Sequence, residues 1–229
     1  MTELEVGRWS ARCEAHVRQT MAGDPAHDLG HVRRVVAWSH RLAEAEGADL
    51  GVVVVAAWLH DLVTVAKDSP DRARASQIAA EEASRWLRAE GFSEADLPAV
   101  AHAIEAHSFS AGIEPRTVEA KVVQDADRLD ALGAIGLARC YATAGAMGSQ
   151  LVHPDDPVPS NSPTRDLDDR RWATDHLFTK LLRLPETMRT AAGRAEAERR
   201  AETIRQFLDA LRRETASPSP SASVTSAAG

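Results

Sequence analysis

The chain has 229 residues, 44% of them hydrophobic, and a formal net charge of -7 at pH 7. That length is enough to bury a sizeable core in one domain. The negative balance argues against nucleic acid as a partner, and the longest apolar run, residues 52–59, is too short to span a membrane. The two cysteines, Cys13 and Cys140, lie far apart and predict reduced thiols. We therefore expect a cytoplasmic monomer or homodimer.

Helical signals recur along the chain, and convincing strand alternation is absent from the sequence, which predicts an all-α fold. In chain order the predicted helices span residues 3–21, 31–46, 50–63, 71–90, 94–107, 117–143, 168–184 and 189–214. The third is apolar on every side, as is typical of a helix at the centre of a bundle. Residues 1–214 are expected to form a single-domain bundle.

Two segments depart from the helical pattern. The stretch from about 145 to 167 carries four prolines and predicts a long loop. Such a loop is either a functional lid or binding loop, or a tolerated surface insertion. The uncharged tail 215–229 is rich in Ser, Pro and Ala and is expected to be disordered.

The doublet His60–Asp61 ends the apolar third helix. One such doublet is nearly expected by chance in a chain of this composition, so alone it is a weak signal. Its context strengthens it, because an imidazole and a carboxylate are costly at the end of a buried segment unless they are paired or bind a metal. The alternative is a core histidine satisfied by a hydrogen bond.

His31 begins an amphipathic helix, and Asp127 lies in the acidic stretch 125–130. Together with the doublet, these residues offer two imidazoles and two carboxylates. This set suits one divalent ion of borderline or hard character, such as Mn, Ni, Co, Fe, Zn or Mg. Such an ion lowers the pKa of bound water and polarises a phosphoryl oxygen.

The order H…HD…D resembles the HD superfamily of helical metallohydrolases, and in particular a small bacterial branch of YpgQ/YedJ-like proteins. The likeness covers about residues 20–212 and rests on stretches 26–35, 59–61, 66–72, 105–110, 125–130 and 167–182. It implies an HD-type helical bundle and a divalent metal held by His31, His60, Asp61 and Asp127. It further implies metal-dependent phosphohydrolase activity on a nucleotide or similar phosphorylated metabolite, with nucleoside triphosphate pyrophosphohydrolysis as its sharpest form.

A second doublet, His27–Asp28, precedes the first ligand, and His27 has i,i+4 spacing to His31. The resemblance assigns the ligand to His31, so we interpret His27 as structuring the turn before the helix. Asp125 and Asp130, which flank Asp127, are interpreted as helix-start or supporting groups.

His102, Glu105 and His107 cluster on one predicted helix. They are candidates for a second metal, a general acid or a base that orients water, and the alternative is a solvated or hydrogen-bonded helix face. We name Glu105 and His107 as the catalytic candidates. The acid that some HD phosphohydrolases carry shortly after the doublet is missing, and Glu105 or Asp68 is left to take its role.

Lys67, Arg72 and Ser76 follow the doublet and lead into a helix, which suits a bound phosphate, so they are our substrate-binding candidates. Lys180 is a weaker candidate of the same kind. For each cation the alternative is an ordinary surface side chain.

Two other functions remain open. A dimetal oxygenase of the same superfamily would need His102 and His107 as further ligands. A regulatory domain would bind a nucleotide without turnover, although it has no need to keep all four ligands. Motifs for phosphate-binding loops, dinucleotide folds and serine hydrolases are absent from the sequence.

Overall fold

The computed structural model describes residues 1–20, 29–63, 74–108, 111–160 and 163–216. Regular structure within these ranges is helical, apart from an isolated bridge between Gln150 and Trp172. The all-α prediction is confirmed. In the same ranges, no helix combines the length and the apolar character that a membrane crossing requires.

The helices come in the following order, with a 3-10 helix (Leu181–Thr187) before the last: α1 (Glu3–Thr20), α2 (Leu29–Glu46), α3 (Leu50–Leu59), α4 (Ala75–Ala89), α5 (Leu97–His107), α6 (Val118–Leu129), α7 (Gly133–Ala146), α8 (Ala173–Thr179) and α9 (Ala191–Thr215). One cluster of buried apolar side chains extends from Val6 in α1 to Leu208 in α9.

Helix α3 lies at the centre, as its sequence predicts. It is buried from Gly51 to Leu59 and contacts α1, α2, α5 and α6. Its first turn is capped by Asp49, whose carboxylate accepts hydrogen bonds from the amides of Gly51 (2.8 Å) and Val52 (3.1 Å). The helix ends at Leu59, four residues earlier than predicted, so the His60–Asp61 doublet lies in the turn that follows it.

The predicted helix 117–143 is wrong, because the chain forms two helices there, α6 and α7. Gly133 adopts a positive φ of 68°, a conformation that favours glycine. Gly136 packs so closely on the turn that a Cβ atom would overlap the carbonyl of Ala131. These two glycines let α7 leave α6 in a new direction.

The predicted helix 168–184 is also divided. It becomes α8, which begins at Ala173, and the 3-10 helix, which contains Pro185. Proline lacks an amide hydrogen and is poorly suited to an α-helical interior.

The predicted loop between α7 and α8 is fixed to α8 by a buried ion pair. Arg165 donates to both oxygens of the fully buried Asp175, at 2.6 and 2.7 Å, and also to the carbonyl of Asp156. The amide of Asp168 donates to the same carboxylate at 2.9 Å. This part of the loop is therefore held in place by α8. Most of the predicted disordered tail, from residue 217 onward, lies outside the described residues.

We expect Gly136→Ala to lower the free energy of unfolding by about 1–3 kcal/mol, because the new Cβ meets backbone and not a flexible side chain. Gly145→Ala on the same helix is the matched control, since no atom lies within 4 Å of a Cβ added there. Alanine's higher helix propensity predicts unchanged or slightly greater stability for the control. Urea unfolding measures both, and equal stability of the two variants would contradict the close approach at Gly136.

Candidate metal centre

Three histidines from three helices face one another. His31 lies in the first turn of α2, His60 directly follows α3, and His107 is the last residue of α5. All three are buried. The ring centroid of His60 is 5.5 Å from that of His31 and 4.9 Å from that of His107. The three rings thus form one cluster, with His60 in the middle.

Each of these imidazoles is oriented through Nδ1. In His60 and His107, Nδ1 lies 2.8 and 2.6 Å from the carbonyl oxygen three residues earlier. In His31 it lies 2.7 Å from Oδ2 of Asp130. Carbonyl and ionised carboxylate oxygens only accept, so we assign the proton to Nδ1 and the lone pair to Nε2. Metal-binding histidines are typically held in this way.

Two carboxylates meet the Nε2 atoms. Oδ2 of Asp61 is 3.5 Å from His60 Nε2 and 3.8 Å from His31 Nε2. Oδ1 of Asp127 lies 3.5 Å from His31 Nε2 and 3.8 Å from His60 Nε2. The other oxygen of Asp61 is 3.4 Å from His107 Nε2. The side chains of Asp61 and Asp127 are 22% and 28% exposed, so the cluster opens to solvent on its carboxylate side.

The donor atoms form two overlapping groups, one of His31, His60 and Asp127 and one of His60, Asp61 and His107. Within each group all atoms lie within 4.8 Å of one another. Nε2 of His60 is buried and makes no hydrogen bond with any described residue. An unsatisfied buried acceptor costs about 1–3 kcal/mol, which coordination would offset. Nitrogen and oxygen donors at these positions fit a divalent ion.

Burial and the neighbouring charges lower the pKa of one histidine and raise the pKa of the other two. Burial lowers the pKa of His60, which favours the neutral form that binds a metal. Burial also acts to lower the pKa of His31, but the hydrogen bond that His31 donates to Asp130 and the charge of Asp127 outweigh it and raise the pKa. At His107 the corresponding burial effect is outweighed because the protonated ring can donate a hydrogen bond from Nε2 to Asp61, so that pKa is also raised.

Asp130 orients one ring of this cluster through a hydrogen bond with His31. Besides the Nδ1 of His31, it accepts hydrogen bonds from Arg34 (Nε 2.6 Å, Nη2 3.0 Å) and from Nη1 of Arg139 (2.5 Å). Burial acts to raise its pKa, but the hydrogen bonds from His31 and Arg34 hold it well below the usual range. Asp130 is therefore an ionised group that orients His31. The sequence suggested a supporting role for Asp130 but gave no sign of Arg139.

Glu105 lies outside both donor groups of the candidate metal centre. It is separated from His107 by two positions, so on an α-helix the two side chains point about 200° apart. Glu105 lines a groove between α4 and α5. A sequence signal for His107 exists, because Val100, Ala103 and Ile104 precede it at i-7, i-4 and i-3 on the buried face of α5.

His102 also lies outside both donor groups. Its Nε2 accepts a hydrogen bond from the backbone amide of Arg116 at 3.0 Å. Ser76 is buried in the first turn of α4, and its hydroxyl makes no hydrogen bond with a described residue. Lys180 lines a separate cleft beside α7 and α8. The remaining candidates, His27, Asp28, Lys67, Asp68 and Arg72, lie outside the described residues.

The comparison with known proteins agrees with the resemblance seen in the sequence. The HD domain family model matches residues 28–132, a range that contains all five residues of the cluster. The chain is 37% identical to YpgQ of Bacillus subtilis (strain 168) over 192 residues, which are 82% of this chain and 84% of YpgQ.

Two solved structures extend this similarity to the fold. The structure of B. subtilis YpgQ in complex with ADP has a TM-score of 0.70 at 33% identity, covering 91% of this chain and 96% of that one. An HD-superfamily hydrolase from Bacillus thuringiensis has a TM-score of 0.68 at 30% identity, covering 93% and 97%. The chain therefore belongs to the HD superfamily.

Proposed function

We propose that this enzyme, a metal-dependent phosphohydrolase of the HD superfamily, acts on a nucleotide, with a nucleoside triphosphate as the favoured substrate. The observation that carries the proposal is the convergence of anchored imidazoles and partly exposed carboxylates on one point. In this assignment His31, His60, Asp61 and Asp127 hold one divalent ion. The complex of the related YpgQ with ADP supports a nucleotide as the ligand.

A divalent ion in this set supplies a bound water of lowered pKa and polarises a phosphoryl oxygen. We assign proton transfer to His107, whose Nε2 faces Asp61 while Nδ1 keeps the ring fixed. The raised pKa of His107 favours the protonated ring that a leaving oxygen requires. Glu105 remains a weaker candidate, because its helix position directs it away from His107.

A second ion is the alternative role for His107, because it shares a donor group with His60 and Asp61. One ion per chain in metal analysis favours proton transfer by His107, and two ions favour coordination. The oxygenase alternative loses support, because it needs His102 as well, and Nε2 of His102 is already bonded to the amide of Arg116.

We expect Asp61→Ala to lower metal affinity and phosphate or pyrophosphate release at least about 100-fold, since even the groups that support a ligand are worth 10–100-fold. The assay uses a nucleotide panel with added Mn, Co or Ni, together with metal analysis. Asp209→Ala, at an exposed position of α9, is the matched control and should behave as wild type. Retention of both metal and full activity by Asp61→Ala would show the proposed function to be wrong.

Asp130→Asn should lower metal affinity about 10–100-fold, because it weakens the bond that orients His31. Asp125→Asn is the control, an equally buried aspartate of α6 that bonds to the amides of Arg189 and Thr190 instead. Both variants should lose stability in urea, but only Asp130→Asn should lose affinity in calorimetric titrations with Mn. Equal affinities of the two variants would rule out the orienting role.

Metal affinity should increase with pH, because the raised pKa of His31 means that a proton competes for Nε2. As the pH falls through that pKa, the imidazolium has no lone pair to offer and affinity is lost. Mn titrations between about pH 6 and 8, in buffers of different protonation enthalpy, measure both the affinity and the proton released. A pH-independent affinity without proton release would contradict the assignment of His31 as a ligand.

A further inference from the structure

A cleft of about 380 Å³ has among its lining residues Arg139, which donates a hydrogen bond to Asp130. It is bounded by α7, the loop that follows, α8 and the start of the 3-10 helix. Three of its lining residues are cationic: Arg139, Arg170 and Lys180. We call it the α7–α8 cleft.

The α7–α8 cleft carries more positive than negative charge in its described lining, with three cations against one carboxylate, although Arg139 is also paired with Asp130 outside the lining. Asp169 is the acidic residue among the described residues that line it, and this carboxylate already accepts from Thr179 Oγ1 (3.0 Å) and faces Nδ1 of His176 (3.3 Å). The side chains of Arg170 and Lys180 make no hydrogen bond or ion pair with the described part of the chain, although the charge of Arg170 helps to lower the pKa of Asp169. A concave surface with unbalanced positive charge attracts anions, even in a protein of net charge -7.

The cleft also has an apolar wall. Ala144, Met147, Ala173 and Leu181 line it, and Met147 is 62% exposed. Inorganic phosphate would leave this wall unused, whereas the body of an organic phosphate covers it. A methionine side chain adapts to flat or irregular apolar groups. Ligand sites generally combine apolar walls with a few placed polar groups, as this cleft does.

Arg139 links the cleft to the metal centre. It lines the cleft, and its Nη1 lies 2.5 Å from Oδ2 of Asp130 and 3.4 Å from Nδ1 of His31. An anion that contacts Arg139 therefore lies close to the carboxylate that orients a proposed metal ligand. The Arg165–Asp175 ion pair keeps the wall formed by the loop in place before any ligand binds.

We propose that the α7–α8 cleft binds a nucleotide, with its phosphates at Arg139, Arg170 and Lys180 and its apolar body against the wall around Met147. The choice of a nucleotide rests on the proposed function, whereas the affinity for an organic phosphate rests on the cleft itself. Two sources of this nucleotide fit the cleft. One is the substrate itself, with the part that lies away from the metal in the cleft, and the other is a separate effector nucleotide.

The test is calorimetric titration of adenosine diphosphate into the full-length, metal-free protein. The double variant Arg170→Ala/Lys180→Ala should bind at least about tenfold more weakly, because charge-assisted bonds to phosphate are lost. The control is Arg213→Ala/Lys121→Ala, which removes the same charges outside the cleft lining and should bind as wild type. Equal affinity of wild type and the cleft double variant would overturn the proposal.

Kinetics then identify the source of the nucleotide. If the substrate itself occupies the cleft, the cleft double variant raises KM and leaves kcat nearly unchanged, and adenosine diphosphate competes with substrate. If an effector occupies it, adenosine diphosphate changes the rate without competing. Either result supports the cleft. Because the titration needs neither metal nor turnover, it gives an answer even if Asp61→Ala shows the hydrolase assignment to be wrong.

Discussion

Burying three imidazoles against two carboxylates is unfavourable unless the orientation and the charge of each ring are fixed. In this chain a hydrogen bond at Nδ1 does both, because it satisfies the ring N–H and directs Nε2 toward a common point. For His60 the acceptor is a carbonyl in the last turn of α3, and for His107 it is a carbonyl in the last turn of α5, so these two helix ends must lie side by side. The apolar α3, packed between α1, α2, α5 and α6, makes that alignment possible.

Much of the fold follows from local features of the sequence. Apolar periodicity and the glycines that end helices predict α1, α2, α4, α5 and α9 to within a few residues. The break between α6 and α7 does not follow, because helical periodicity continues through residues 117–143. At the break Gly133 has a positive φ and Gly136 lies close to the carbonyl of Ala131, at positions that fit the helical pattern of the sequence.

The residues of the candidate metal centre can likewise be predicted only in part from the sequence. The cost of placing His60 and Asp61 after a buried helix can be read from the sequence, and the superfamily resemblance adds His31 and Asp127. Helix periodicity places His107 on the buried face of α5 and Glu105 on another face, so the sequence also predicts that His107 and not Glu105 joins the cluster. The bond between His102 and the amide of Arg116 could not be predicted in this way, since the segment that supplies the donor follows no helical or strand period. Non-local contacts of this kind depend on how elements pack.

The break after α6 also explains how the metal centre and the α7–α8 cleft come to share a residue. In a continuous helix Asp130 and Arg139 would be separated by a rise of about 13.5 Å, beyond the reach of an arginine side chain. Because α7 turns away at the break, the guanidinium of Arg139 returns to the carboxylate of Asp130. The Asp130 carboxylate accepts hydrogen bonds from Arg34, Arg139 and His31. An anion that draws Arg139 away would remove one of these donors and would strengthen the hydrogen bond between Asp130 and His31. By thermodynamic reciprocity, a metal ion on His31 would then alter the affinity of the cleft for its anion.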